Sequence, residues 1–218
     1  MRRPVLRITL LIQARLISFP NMDSKIKADL YRYGGLTGVK GLFKGLMNPG
    51  FRYTFLLRKA GATNTYSPSG LLWRILLRHY SFKYGFQIFP STQIGEGFYI
   101  SHFGPIVING KVKIGRNCNI THGVTLGQAN RGSNMGCPEL GDNVWLGTNA
   151  VLVGKIKVGS NVLVAPNAYV NFDVPDNSIV LGNPGKIIPK QNPVEGYIDF
   201  VLPSASHHAP VTPGEQPV

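Results

Sequence analysis

Between Ile88 and Val174 an aliphatic residue returns at every sixth position, and a small or apolar residue follows four places after it. The repeats read IGEGFY from Ile94, INGKVK from Ile108, IGRNCN from Ile114, ITHGVT from Ile120 and LGDNVW from Leu140. They continue as LGTNAV from Leu146, LVGKIK from Leu152, VGSNVL from Val158 and VAPNAY from Val164. A period of six fits neither an amphipathic helix nor an alternating strand. It is the period of a parallel β-helix, in which each hexapeptide supplies one short strand and one corner and three close a triangular coil. A single repeat cannot cover its own apolar side, so the coils must stack to be stable.

Two columns are expected inside the prism. Position one is Ile, Leu or Val. Position five holds Phe98, Val112, Cys118, Val124, Val144, Ala150, Ile156, Val162 and Ala168. Position two is usually Gly, where a turn with positive φ or a close backbone approach is expected.

The period breaks twice. Ile100 to Ile108 is eight residues, two more than a repeat. Leu126 to Leu140 is fourteen, read here as two repeats plus two, and it contains QANRGSNMGCPE. This polar, Gly- and Asn-rich stretch reads as a loop leaving the coil, the kind of segment that carries function.

Upstream the pattern changes to helical spacing. SKIKADLYRYGG, GVKGLFKGLM, RYTFLLRKAG and GLLWRILLRHYSFKYG read as helices, punctuated by Gly34-Gly35, Pro49-Gly50 and Pro68. The expected fold is therefore mostly β, with a small α-helical region in front. Three parts follow: residues 1–86 a basic helical region, 87–190 the β-helix, and 191–218 a tail. The tail's end, LPSASHHAPVTPGEQPV, is rich in Pro and Ser, and the tail is expected to be disordered. Residues 1–21 are expected to lie outside the fold, since MDSKIKADLYRY from Met22 opens like a polar-capped helix.

Charge sharpens this division. The formal net charge is +13. Residues 1–90 hold fifteen Lys or Arg against Asp23 and Asp29, whereas residues 91–218 hold eight of each sign. A basic, aliphatic and aromatic helical segment fits an anionic membrane surface, or equally a helical cap with a solvated basic face. Nucleic acid is disfavoured, because no recognition motif accompanies the charge. No apolar run reaches the ~18 residues of a spanning helix. Two cysteines do not make a disulfide framework, and cytoplasmic residence fits both.

Few residues can do chemistry. The histidines are His79, His102, His122, His207 and His208. His102 and His122 both occupy position three of a repeat, which should face outward, and the twenty residues between them place them on adjacent coils. A neutral imidazole can serve as general base near neutral pH. No G-x-S-x-G elbow, phosphate loop, H-E-x-x-H or zinc-spaced Cys pair occurs. A zinc hydratase site like that of the gamma-class carbonic anhydrases needs three His ligands, and only two lie in this region, so no metal is expected.

The hexapeptides, ISHFGPIVIN, HGVTLG, the loop and the closing VPDNSIVLGNPGKII together resemble the serine acetyltransferase family, left-handed β-helix hexapeptide acyltransferases, over roughly residues 86–190. The resemblance implies a homotrimer with sites between neighbouring coils, acetyl-CoA as donor and His102 as the base in direct acyl transfer. It implies CoA contacts at Gly127, Gly147, Thr148, Ala150, Ala165, Pro166 and Lys186. It departs from the serine-specific pattern at three places. Gln87 and Ser101 stand where that pattern has Asp, and Cys137 stands where it has a second loop His. With RGSNMGCP, these departures resemble the polysaccharide-modifying branch, notably the colanic acid biosynthesis acetyltransferases. The first expectation is therefore acetyl transfer to a sugar hydroxyl of a bacterial surface polysaccharide, in the cytoplasm or peripherally at the inner membrane. His122 would assist, and Gln87, Asn130, Arg131 and Cys137 would shape the acceptor pocket. Serine O-acetylation for cysteine synthesis is the alternative.

Overall fold

The computed structural model describes residues 22–202. The expectations for residues 1–21 and for His207 and His208 lie outside the described residues. Four helices come first: α1 (Ser24–Tyr31), α2 (Gly38–Met47), α3 (Pro49–Ala62) and α4 (Pro68–Tyr84). Their starts are chemically marked. The side chain of Asp23 accepts from the Lys25 N–H at the head of α1, and Asn48 and Ser67 cap α3 and α4, each with Pro at the next position. Gly85 ends α4 with φ 79°.

Fourteen of the fifteen short strands that follow wind a left-handed parallel β-helix. Face A stacks β1 (Phe86–Ile88), β4 (Ile106–Ile108), β7 (Thr125–Gly127), β10 (Val151–Val153) and β13 (Tyr169–Val170). Face B stacks β2 (Gln93–Ile94), β5 (Lys113–Ile114), β8 (Glu139–Leu140) and β11 (Lys157–Val158). Face C stacks β3 (Tyr99–Ile100), β6 (Asn119–Ile120), β9 (Val144–Leu146), β12 (Val162–Val164) and β14 (Ser178–Leu181), closed by antiparallel β15 (Lys186–Pro189).

The two inward columns are real. All nine position-five residues are 0 or 1 % exposed, and position-one residues from Ile94 to Val164 are at most 6 % exposed. Each such aliphatic side chain contributes roughly 1.5–3 kcal/mol of burial. Of the two uses expected of position-two Gly, the structure shows close approach rather than positive φ. Positive φ belongs to position four, at Asn117, Asn143, Asn149, Asn161 and Asn167. Asn tolerates this region because its short polar side chain bonds locally. Position-two Gly serves close approach instead: a Cβ on Gly95 would lie 2.5 Å from the Gly115 carbonyl oxygen, and one on Gly147 2.6 Å from the Pro166 nitrogen.

The longer break also differs from expectation. Lys113 pairs with Glu139, 26 residues on, whereas Glu139 pairs with Lys157, 18 on. The excursion is therefore one repeat plus eight residues, not two repeats plus two. No extra strand joins the prism, because the loop pairs with itself at Ala129 and Gly136.

The helices solve the edge problem at the first coil. An open sheet edge offers unpaired N–H and C=O groups. On β1, the Tyr53 hydroxyl donates to the Ile88 carbonyl at 3.2 Å. On β2, Arg58 donates to the Ile94 and Gly95 carbonyls at 2.7 and 2.5 Å. At β3, the Tyr33 hydroxyl donates to the Ile100 carbonyl at 3.1 Å and accepts from its N–H at 3.2 Å. Asp29 accepts from the Phe98 N–H and pairs with Arg58 at 2.8 Å. Arg32 and Arg58 thus work inside the structure, rather than on a solvated basic face.

The tail departs from expectation as well. Residues 191–202 pack back over face C. Asn119 donates to the Tyr197 carbonyl at 2.8 Å, Arg32 to the Asp199 carbonyl at 2.8 Å, and Tyr197 lies against Trp145 at 4.9 Å. Asn119 and Trp145 are outward residues of face C, so the docked segment covers surface that a disordered tail would leave wet.

Candidate active site

His102 and His122 sit at the corner between faces C and A, on the turns that follow β3 and β6. Their rings meet edge to face with centroids 5.8 Å apart. His102 is exposed and His122 half-buried. The two-residue insertion makes this possible. It contains Gly104 at φ 138°, where a Cβ would come within 3.0 Å of the His122 Cβ. Nδ1 of His122 is buried without a hydrogen-bond partner among the described residues. An unpaired buried polar atom costs about 1–3 kcal/mol, a cost that functional sites retain. None of the three ion pairs among the described residues involves either histidine, so no carboxylate stands within 4.0 Å of a ring nitrogen. Gln87 and Ser101 offer His102 no charged orienting partner. Gln87 is exposed on β1, whose approach at Tyr84 and Gly85 accepts the Gly104 and Ile106 N–H groups. The Ser101 hydroxyl turns instead to the Ile120 carbonyl at 3.4 Å.

The corner continues downward as a ladder. The His122 carbonyl accepts from Asn149 N–H and the Thr148 carbonyl from Asn167 N–H. Thr148, Ala165 and Pro166 therefore lie on the corner that carries the two imidazoles, at successive coils. Gly147 and Ala150, two more of the expected CoA contacts, belong to the same turn as Thr148 but are buried. Ala150 is 0 % exposed, with its N–H on the Gly147 carbonyl and its carbonyl on the Thr125 N–H. Gly147 is buried, its N–H held by the Val164 carbonyl. The backbone groups of both serve the coil. Lys186 is exposed on β15.

The loop residues stand elsewhere. Gly127 ends β7 at the opposite edge of face A. The three residues of β7, about 10 Å at ~3.3 Å each, separate that edge from the histidine corner. Asn130 and Arg131 are exposed, and Cys137 is half-buried. The loop runs down the corner between faces A and B: Lys155 N–H donates to the Asn134 carbonyl, and the Asn134 side chain to the Asn171 carbonyl. One chain therefore does not bring Asn130, Arg131 and Cys137 to its own histidines. Phe103 escaped the sequence reading. It is 69 % exposed beside His102 and stands at position four, where other repeats carry Asn, Gly or Lys. A large aromatic at a turn position was the available signal.

The cysteines differ in kind. Burial pushes the Cys118 thiol up to about 12, and its Sγ points at the Gly141 carbonyl. The Cys137 thiol is also raised by burial, opposed by Lys111. A cleft of about 740 Å³ lies between α3 and face B, and neither imidazole lines it. It holds the Lys113–Glu139 ion pair and no histidine.

Comparison with known proteins fits this frame. Residues 138–171 match the bacterial transferase hexapeptide model (six repeats). Serine acetyltransferase 4 of Arabidopsis thaliana is 36 % identical over 121 residues, 56 % of this chain and 32 % of that protein. The chain spans about a third to a half of the length of the curated relatives it matches. Neisseria gonorrhoeae serine acetyltransferase in complex with serine superposes with a TM-score of 0.63 at 28 % identity, covering 86 % of this chain and 78 % of that one. Serine acetyltransferase of Brucella abortus strain S19 in complex with coenzyme A gives 0.65 at 25 % identity, covering 86 % and 74 %. The likeness is to serine acetyltransferases and does not support the polysaccharide-modifying branch expected from the loop. By repeat, fold and sequence, the chain is a left-handed β-helix hexapeptide-repeat protein related to the serine acetyltransferases.

Proposed function

We propose that the protein is an acetyl-CoA-dependent O-acetyltransferase of the serine acetyltransferase type, with His102 as general base. The observation that carries this reading is the imidazole pair on one corner, exposed His102 over half-buried His122, above Thr148 and Pro166. His102 takes the proton from the acceptor hydroxyl as its oxygen attacks the thioester carbonyl. The carbon–sulfur bond then breaks, and the imidazolium returns its proton to the departing CoA thiolate. No covalent enzyme intermediate is needed. His122 holds the base in place from below. Thr148, Ala165, Pro166 and Lys186 line the donor's path, Lys186 as a cation for a CoA phosphate. Proteins of this fold are typically trimers. A neighbouring copy is what would bring Asn130, Arg131 and Cys137 of one chain to the histidines of the next.

Serine is the first acceptor to test, because the relatives are serine acetyltransferases. Acetyl-CoA and free serine are supplied, and released thiol is followed. Turnover that disappears in His102→Ala supports the proposal, and turnover indifferent to that substitution removes it. One observation favours a second acceptor, a sugar hydroxyl. The histidine pair has no carboxylate in ion-pair reach, and the loop offers Cys137 instead of a histidine. Among the described residues of one chain a serine ammonium would meet no counter-charge there, and a missing buried polar partner can cost ~10⁴ in discrimination. Thiol release with a hexose or uronate acceptor and none with serine selects this reading.

A further inference from the structure

The outer helices carry a surface that acetyl transfer does not use. α2 and α4 flank α3, since Arg52 of α3 donates to the Leu46 carbonyl at 2.6 Å and to the Tyr84 hydroxyl at 2.7 Å. Leu42 and Leu46 pack inward on Phe51, and Trp73 packs edge-on to Phe55. The outward rows are apolar too. On α2, Val39, Phe43 and Met47 follow at four-residue spacing and are 53, 68 and 78 % exposed. On α4, Leu71, Leu72 and Ile75 are each more than half exposed, and Phe82 is 75 % exposed. Soluble monomers rarely leave this much apolar surface open without a use for it.

The charges around these rows have one sign. Lys40 and Lys44 alternate with the α2 row, and the Arg78 guanidinium lies 5.0 Å over the Phe82 ring. No Asp or Glu occurs between Asp29 and Glu96. That decides between occupants. A second copy would set cations against cations with no carboxylate to pair them, at a cost in desolvation and repulsion. An anionic bilayer suits both features: apolar side chains enter the headgroup boundary while lysine stems reach back to lipid phosphates.

We propose that α2 and α4 dock the protein peripherally on an anionic lipid surface. No helix among the described residues is long and apolar enough to cross a membrane, so the contact lies in the plane of the interface. The helices cap one end of the prism. If the trimer proposed above forms, three such surfaces share that end, and weak single contacts add as avidity.

The test floats the full chain with vesicles rich in phosphatidylglycerol and, separately, with neutral phosphatidylcholine vesicles. The chain floats with the first and not the second, and high salt releases it, because screening shortens to ~3 Å at 1 M. Lys40→Gln with Lys44→Gln lowers partitioning about 25-fold, each cation being worth roughly fivefold. Phe43→Ser with Met47→Ser abolishes flotation while sedimentation mass and acetyl transfer in solution persist. Absence of flotation, flotation indifferent to both double variants, or a fall in sedimentation mass with Phe43→Ser/Met47→Ser overturns the proposal. The last outcome would assign the face to a second copy. Flotation with no acetyl transfer to any hydroxyl acceptor sinks the catalytic reading and leaves this one standing.

Discussion

Faces A and B of the prism share one core and one period, yet their outward columns differ completely. Face B presents Lys113, Glu139 and Lys157 in register, with Lys113 paired to Glu139 at 2.9 Å and Asp173 accepting from the Lys157 N–H. Face A presents Gln87, Val107, Thr125, Val151 and Tyr169 in register, with no charge among them. Alternating charge keeps a face wet and discourages association, whereas an uncharged column with Val107 37 % exposed invites it. Face C resembles neither, because its own chain covers it at Trp145 and Asn119. The uncharged face is also the one with chemistry at both edges: the histidines at one corner and the loop at the other. If face A meets another chain, as proposed, with half a site at each edge, catalysis and assembly become a single problem.

The strongest test of this comparison uses two defective chains. His102→Ala lowers turnover by ~10²–10⁴, the usual range for a lost general base. Deletion of residues 130–135 removes the loop and leaves the histidines intact. If the halves of the site come from different chains, co-refolded mixtures of the two variants regain a fraction of wild-type thiol release that neither shows alone. A mixture no more active than its components would place the whole site within one chain.

Charge placement comes next. Val107→Lys on face A disperses the assembly and carries activity down with it, read as a fall in sedimentation mass. The matching change on face B, Gln93→Lys, leaves mass and activity unchanged and shifts stability by no more than about 0.5 kcal/mol, the usual range for surface substitutions. Equal behaviour of the two variants would erase the distinction between the faces.

The thiols separate core from corner on a smaller scale. Cys118 is wholly buried and its thiol is raised to about 12, so it resists alkylation until the coil unfolds. Cys137 is half-buried in the loop and reacts in the native protein. Native iodoacetamide labelling followed by peptide mapping modifies Cys137 alone. Pre-incubation with acetyl-CoA and acceptor slows the labelling if the loop closes on a neighbour's site.

The period made the prism legible because it is local and repeated: every position-five residue from Phe98 to Ala168 was identifiable as core. What escaped depends on partners distant in sequence. Nothing near Arg32 announces that it will serve Gly97, Asn119 and Asp199. Nothing in residues 191–202 announces a Trp145 to lie on. The loop count failed because fourteen residues divide as readily into two repeats plus two as into one plus eight, and only strand register distinguishes them. His102 and His122 were legible as a pair through shared position three and twenty-residue spacing. The absence of loop residues beside them was not, because a hexapeptide count does not say which corner faces which chain.

The smallest effect is the most informative about face B. Lys113 holds the Glu139 carboxyl below its ordinary range, chiefly by their hydrogen bond. A depressed carboxylate contributes stability above its unfolded pKa, and that contribution is lost as pH falls through the folded value. Lys113→Gln therefore lowers stability slightly at neutral pH, and wild type and variant converge in acid, below the folded pKa. Both partners are about half exposed, so the pair is worth only about 0.2–1 kcal/mol and weakens with salt. Denaturant titrations at neutral and acid pH measure this directly, with sedimentation mass followed in parallel. A small, salt-sensitive loss with unchanged mass is what a solvated face requires. A large loss, or a change in mass, would mean that face B is covered in the assembly, and the roles assigned to the two faces would have to be exchanged.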